Sequence, residues 1–402
     1  MSYDFEATPL RRDTNSLKWS VGADELPMWV ADMDLPTAPA ILEAVKTKVA
    51  TGVFGYEVVP EQYALAIQSW WGRRYDLEID PQWVCFADGV VPAISSLIRT
   101  FSEPGDGVLI QTPVYNSFAE TIQDCGRTVV TSDLPYSPPK QFTQATSDTP
   151  TSPPPGQYGI DFTDLEEKLA KARTVMMLVC NPNNPTGQVW TPEELSRIAE
   201  MAHRHGVVVI SDEIHCDITE PGVTYTPFAT VDPDVIWVTS ASKSFNIPGL
   251  QGAAVMVRDG ELRARVTESL HRDGISQPGS FAAVATIAAY TQCADWLDAM
   301  RQHVWANRSY LENYVLEHHL LIHVVPSQST YLAWIDCSGL TADAGVFAQF
   351  LRESTGLVVN PGALYGQEAL QFIRMNLACP TLGLTDGIER LTRAIHTMIK
   401  GA

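Results

Sequence analysis

Three short apolar runs in the middle of the chain, each emptying into a polar loop, constrain the fold more than any other feature. Thr174–Cys180 (TVMMLVC) is apolar at nearly every position, as a strand covered on both faces must be, and runs into NPNNPTG. Val207–Ile210 (VVVI) runs into SDEIHCD, and Val235–Val238 (VIWV) runs into TSASKSF. Between the first two, a helix is predicted over Thr191–His205. Thr191 serves as N-cap, Pro192 takes the first helical position, Glu193 and Glu194 sit where the helix dipole favours acids, and Gly206 supplies a left-handed stop. Strand, helix, strand at this spacing implies a right-handed parallel crossover. Ligands of such sheets collect outside the carboxyl ends of the strands, so the three loops are expected to converge on one site.

The flanking sequence extends this reading. Ala87–Pro92 leads into a helical stretch through Phe101, and Val108–Ile110 reads as a further strand ending in TPVYNSF. Residues 135–156 are rich in Pro, Ser and Thr and read as an exposed loop. Beyond about residue 280 longer amphipathic helices mix with strand-like runs such as Tyr331–Ile335. The expected fold class is α/β: a large domain, residues 50–283, with a mostly parallel sheet flanked by helices, and a smaller α+β domain built from both chain ends, residues 1–49 and 284–402.

Composition narrows the function. Among 402 residues, 47 are acidic and 27 basic, a formal charge of −20 with no basic block, which argues against nucleic acid or an anionic membrane as partner. The N-terminus is polar, and no run of eighteen apolar residues occurs. Seven scattered cysteines without a C-x-x-C pair offer neither a disulfide framework nor a zinc-finger spacing, so a cytoplasmic protein is expected.

Lysine is scarce, eight in all, and Lys243 is the only one between Lys171 and Lys400. It follows a buried strand among small residues, where partial desolvation would lower its pKa and make it a usable nucleophile and base; the competing reading is a solvated loop lysine. Asp212 follows the neighbouring strand, where an unpaired carboxylate would be costly, so it needs a cationic partner: a protonated ring nitrogen, an arginine or a metal. Asp212, Glu213, His215 and Asp217 lie close enough in sequence for the metal reading, but no second ligand cluster accompanies them, and no metal is expected. A lysine and an aspartate at adjacent strand ends, with TSAS before the lysine and an N-P-T-G loop, suggest pyridoxal 5'-phosphate.

From the LPMWVADMDLPTAPAI segment to FIRMNLACP, the sequence resembles the fold-type-I pyridoxal-phosphate enzymes of the class I/II aminotransferase superfamily. Within them, WVADMD, SDEIHCD and SASKSFNIPGLQGA together resemble the MalY/PatB-type carbon–sulfur β-lyases. The resemblance implies that Lys243 forms the Schiff base and serves as catalytic base, that Asp212 partners the pyridinium nitrogen, and that Asn184 faces the ring 3-oxygen and the substrate. It implies Tyr115 on the ring face, the backbone of Gly89, Val90 and Val91 with Ser240 and Ser242 around the phosphate, and Arg374 as clamp on the substrate carboxylate. Asp32 would line the substrate pocket with the rest of the Trp29–Pro36 segment. Tyr56 would reach across a homodimer interface into the other subunit's site. Two positions depart from the transaminase pattern: Gln251 stands where an arginine usually grips the phosphate, and His215 where a tyrosine usually meets the ring oxygen. Both match the lyase branch. The implied reaction is β-elimination from L-cystathionine and related L-cysteine S-conjugates to a thiol, pyruvate and ammonia. An aminotransferase on the same scaffold, or a lyase with a secondary regulatory protein-binding role, are the competing functions.

Other conspicuous residues read as structural. His203 and His205 close a helix whose dipole favours positive charge, the Glu317-His318-His319 run lacks H-E-x-x-H spacing, and Trp70-Trp71 suits packing.

Overall fold

The computed structural model describes residues 3–7, 9–139, 153, 154 and 156–401. Its centre is a seven-stranded sheet: β1 (Val84–Ala87), β2 (Gly107–Thr112), β3 (Thr128–Asp133), β4 (Thr174–Cys180), β5 (Val208–Asp212), β6 (Ile236–Thr239) and β7 (Ala253–Met256). The spatial order is β1-β7-β6-β5-β4-β2-β3, and only β7 runs antiparallel to its neighbours. The chain goes from β2 out to the β3 edge and returns on the other side of β2 as β4, so the loops after β2, β4, β5 and β6 stand side by side. Crevices form where strand order reverses in this way. The expectation of a mostly parallel sheet flanked by helices holds; the strand Thr174–Cys180 has the predicted ends, and the other predicted strands are present with shifted ends. β5 extends to Asp212 because the ladder continues through Cys180↔Asp212 and Asp212↔Val238, which fixes the aspartate on a strand end.

Local chemistry accounts for these elements. β4 is buried at every position except Val175, which is partly buried, as its apolar run requires. The helix Pro192–His205 opens with a capping box, Thr191 Oγ1 accepting from Glu194 N at 3.1 Å and Glu194 Oε2 accepting from Thr191 N at 2.8 Å. Gly206 closes it at φ 67°. Gly187, which ends the N-P-T-G turn, has φ 70°, and a Cβ there would come 1.8 Å from Ser327 Oγ, so only glycine fits.

A second, four-stranded antiparallel sheet comprises β8 (His323–Val324), β9 (Leu332–Asp336), β10 (Asn360–Pro361) and β11 (Phe372–Asn376), in the order β8-β9-β11-β10. Leu26–Pro27 pairs with Leu357–Val358, which ties the N-terminal segment to this C-terminal layer. The Pro-rich stretch is anchored at its base, where Tyr136–Ser137 pairs with Gln157–Tyr158. The loop predicted within it, residues 140–152 and 155, lies outside the described residues. Among the described residues, no helix is long and apolar enough to cross a membrane.

Candidate active site

The four adjacent strand ends open onto a cavity of about 550 Å³. Tyr115 from the loop after β2, Asn184 from the loop after β4, Asp212 and His215 from β5 and its loop, and Ser240, Ser242 and Lys243 after β6 all line it. Gly89, Val90 and Val91 line it at the start of the helix Val90–Phe101, and Arg374 reaches it from the middle of β11. Fold topology thus gathers residues that span almost 300 positions.

Ser240 caps the short helix Ala241–Ser244, its hydroxyl accepting from Ser242 N at 3.1 Å and donating to Gly252 O at 2.5 Å. That turn points Lys243 into the cavity, where Nζ donates to Ala31 O at 2.7 Å. Burial and the nearby Arg374 guanidinium press the Lys243 pKa down to about 8, against the pull of Asp32 and Asp212. About a tenth of such an amine is neutral at pH 7. Asp212 is buried, and its carboxylate accepts one hydrogen bond, from Ile214 N at 3.1 Å. Burial pushes its pKa up to about 7, although the Ile214 amide and Lys243 favour its charge. His215 is buried with Nδ1 unpartnered among the described residues, and desolvation, Lys243 and Arg374 hold its pKa down to about 3, so the ring is neutral.

Arg374 is buried and makes both of its hydrogen bonds to neutral acceptors, Nη1 to Asn184 Oδ1 and Nη2 to Trp29 O, each at 3.0 Å. Its Nε has no partner among the described residues, and its guanidinium lies 4.7 Å from the centre of the Tyr365 ring. A buried guanidinium without a carboxylate on it is poised for an anion. Asn184 Oδ1 is spent on Arg374, which leaves its Nδ2 to donate elsewhere.

Two expected site residues are not brought to the cavity wall. Asp32 is not among the lining residues: its Oδ2 accepts from Arg11 Nη2 at 2.6 Å, while its buried Oδ1 has no hydrogen-bond partner among the described residues and its charge still acts on Lys243. Tyr56 is fully exposed, at 103 % of its reference area, on the stretch between the helices Pro39–Ala50 and Glu61–Tyr75, outside the cavity of its own chain. The remaining acids of SDEIHCD point elsewhere. Glu213 is tied to Tyr225 OH, Ser211 Oγ at 2.9 Å and Phe228 N at 3.0 Å, and Asp217 to Tyr75 OH, Trp70 Nε1 at 2.9 Å and Ser244 Oγ at 3.1 Å. Asp212, Glu213, His215 and Asp217 therefore do not converge.

Sequence reasoning passed over several contributors. Tyr331 OH donates to Ala31 O at 2.9 Å beside Lys243 Nζ, and Asn360 Nδ2 donates to Trp29 O and to Tyr365 OH. Asp88 and the exposed side chains of Leu17 and Leu364 also line the cavity. Tyr331 was visible only as the first residue of a strand-like run and Asp88 only as part of the stretch leading into a helix, neither of which marks a site residue.

The donor set fits pyridoxal phosphate. Val90 and Val91 offer helix-terminal N–H groups that no helical carbonyl can satisfy, and Ser240 and Ser242 stand beside them, which suits a phosphate. Asp212, short of donors, suits a cationic ring nitrogen, and Tyr115 flanks the space between. A nucleophilic lysine, an acid for a ring nitrogen and an anion cup on the ends of one parallel sheet define a pyridoxal-phosphate enzyme of the aminotransferase fold. The chain belongs to the aminotransferase class I and II family, whose sequence profile matches residues 29–391. It is 34 % identical to cystathionine beta-lyase PatB of Bacillus subtilis (strain 168), over 98 % of this chain and all of PatB. It is 36 % identical to protein MalY of Escherichia coli (strain K12), again over 98 % of this chain and all of MalY. Its structure is similar to that of the PLP-bound C-S lyase from Staphylococcus hominis, with a TM-score of 0.88 and 28 % identity over 98 % of this chain and 99 % of the other. The resemblance drawn from WVADMD, SDEIHCD and SASKSFNIPGLQGA is thereby upheld.

Proposed function

We propose that this chain is a pyridoxal-phosphate-dependent carbon–sulfur β-lyase that cleaves L-cystathionine and related L-cysteine S-conjugates to a thiol, pyruvate and ammonia. The observation that carries the reading is the buried, carboxylate-free Arg374 beside a lysine whose pKa is pressed down to about 8. When bound, the cofactor supplies an electron sink for the carbanion left by loss of the Cα hydrogen. Arg374 binds the substrate α-carboxylate through Nε and its remaining Nη hydrogens, with Asn184 Oδ1 and Trp29 O still holding the guanidinium, which fixes the Cα–H bond relative to Lys243. Lys243 Nζ, in the neutral form that burial favours, takes the Cα proton and can return it to the departing thiolate sulfur. Asp212 holds the proton of the pyridine nitrogen, the interaction that its single present donor leaves room for. Water is consumed once, when the three-carbon fragment hydrolyses to pyruvate and ammonia.

PatB and the S. hominis protein are named as lyases, and both cover nearly the whole chain, which favours elimination over amino-group transfer. The deciding experiment is pyruvate release across cystathionine, cystine, cysteine and S-alkyl cysteines. Lys243→Ala should abolish it, and persistence of pyruvate would sink the assignment. If the parent chain instead exchanges an amino group with a keto acid and releases no pyruvate, it is an aminotransferase.

The same reading includes a homodimer in which Tyr56 reaches the other copy's site and assists proton transfer. Its support is the exposure of Tyr56 together with Val53, Phe54 and Val58 on one short stretch. Gel filtration at half the expected mass would remove it. We also assign residues 50–283 to a large cofactor-holding unit, residues 1–49 with 284–402 to a small one, and the protein to the cytoplasm, in keeping with its seven free cysteines.

A further inference from the structure

Residues 29–33 form an irregular segment, yet every carbonyl in it accepts a side-chain hydrogen bond. Trp29 O takes Arg374 and Asn360, Val30 O takes Asn376, Ala31 O takes Lys243 and Tyr331, Asp32 O takes Asn376 and Lys18, and Met33 O takes Arg11 and Asn246. Two of these carbonyls therefore touch the two cations of the site. On its other side the segment is held by charge. Arg11 reaches Asp32 Oδ2 at 2.6 Å, Asp34 Oδ1 at 2.8 Å and Met33 O at 2.7 Å, and Lys18 Nζ reaches Asp34 Oδ2 at 2.7 Å. Trp19 Nε1 adds a bond to Asp34 Oδ1 at 2.7 Å. Lys18 is only 1 % exposed, so this is no solvated surface pair; a buried ammonium is tolerated only against fixed carboxylates.

We propose that Arg11 and Lys18 are positioning residues: by clamping Asp32 and Asp34 they hold the Ala31 and Trp29 carbonyls against Lys243 and Arg374, so the N-terminal segment sets how the amine and the carboxylate clamp are aimed. This rests on the reading of Lys243 and Arg374 as the working cations, and extends it to residues more than 200 positions away. The charged groups acting on Lys243 are Arg374, Asp32 and Asp212. Loosening the segment removes the carbonyl that favours the ammonium form, and neutralising Asp32 acts in the same direction.

The test is the Arg11→Gln/Asp32→Asn double variant, which exchanges an ion pair for a neutral pair at no change in net charge. In the full chain stripped of cofactor, trace labelling with acetic anhydride as a function of pH, read on the Lys243 peptide by mass spectrometry, reports the neutral amine. Labelling at pH 7 should rise about threefold, as a half-unit fall in pKa requires. In the loaded enzyme KM for cystathionine should rise about tenfold, through misaimed Arg374. Arg352→Met, which breaks the exposed Arg352–Glu25 pair in the same N-terminal region, is the control and should leave both readings at parent values. If the double variant loses thermal stability while its labelling curve and KM stay at parent values, the segment is only a staple and the proposal falls. Arg11→Lys keeps the charge but loses the two-pronged grip; it should shift labelling in the same direction by less, and an unmoved curve there overturns the proposal even if the double variant does not fold. Labelling needs no turnover, so a parent chain that releases no pyruvate would end the lyase reading and leave the clamp to be judged separately.

Discussion

Two pairs of residues in one short loop, Asp212 with His215 and Glu213 with Asp217, share a strand end and differ in almost every other respect. All four are buried. Glu213 and Asp217 each take three side-chain or amide donors, from tyrosine, tryptophan, serine and backbone, and belong to the packing between elements. Asp212 has one donor and His215 Nδ1 none, and both face the cavity. A buried polar group costs free energy unless it is hydrogen-bonded, so saturation suits a residue kept for stability, and under-saturation on a cavity wall suits one kept for a ligand. Within seven residues of sequence the chain alternates between the two uses.

The largest expected effect tests the under-saturated side. Asp212→Asn should lower turnover about 10³-fold, the scale of losing a preorganised electrostatic partner, while leaving the cofactor-free protein no less stable at pH 8, since an amide removes a poorly compensated charge. Pyruvate release and a thermal melt measure the two halves. A melt that falls sharply at pH 8 would erase the contrast with Glu213.

Next in size is the pH dependence of stability without cofactor. The folded pKa of Asp212 is raised to about 7 from 3.8, so its contribution is fully present below pH 3.8 and is lost as pH rises through 7, up to about 4 kcal/mol. Glu213, also raised to about 7, adds in the same direction. His215, depressed to about 3, opposes them, because its contribution is lost as pH falls from 6.5 through 3. Comparing parent and Asp212→Asn cancels the other groups: the parent's advantage in melting temperature should be greatest near pH 4 and vanish or reverse above pH 7. A difference independent of pH would mean that Asp212 is paired in a way its single hydrogen bond does not account for.

Much of this was legible in the sequence, for a physical reason. Lys243, Asp212 and Asn184 follow strands whose apolar runs are unmistakable, and the strand-end rule places such residues on one rim. Arg374 was legible only through family resemblance, since nothing local separates it from eighteen other arginines. The division within SDEIHCD was not legible: which acids face the cavity depends on Tyr225, Trp70 and Tyr75, and Trp70 and Tyr75 lie more than 140 positions away. The ion pair of Asp32 was not legible for a similar reason, its partner Arg11 lying in a polar N-terminal stretch without periodicity. Boundaries shifted by one or two residues because ladder pairing, not apolarity, ends β5.

The saturated side should fail differently. Glu213→Gln can keep its oxygen for Ser211 and Phe228 N only by presenting its NH₂ to Tyr225, whose hydroxyl must then turn from donor to acceptor, so a charge-assisted bond is exchanged for a neutral one. Loss of stability of about 2–3 kcal/mol is expected, read by urea unfolding, with kcat/KM of the folded fraction within about twofold of the parent.

The smallest effect asks whether saturation is shared among donors. Tyr75→Phe removes one of the three donors to Asp217 and leaves Trp70 Nε1 on the same oxygen and Ser244 Oγ on the other. Because the carboxylate keeps a partner on each oxygen, the cost should be about 1 kcal/mol, the net worth of one hydrogen bond and not the penalty of an orphaned charge. Turnover should not change, as Tyr75 is outside the cavity. A cost near that of Glu213→Gln would mean that the network acts as one cooperative unit, and a fall in turnover would mean that the structural half of the loop also aims the catalytic half, through Ser244 next to Lys243.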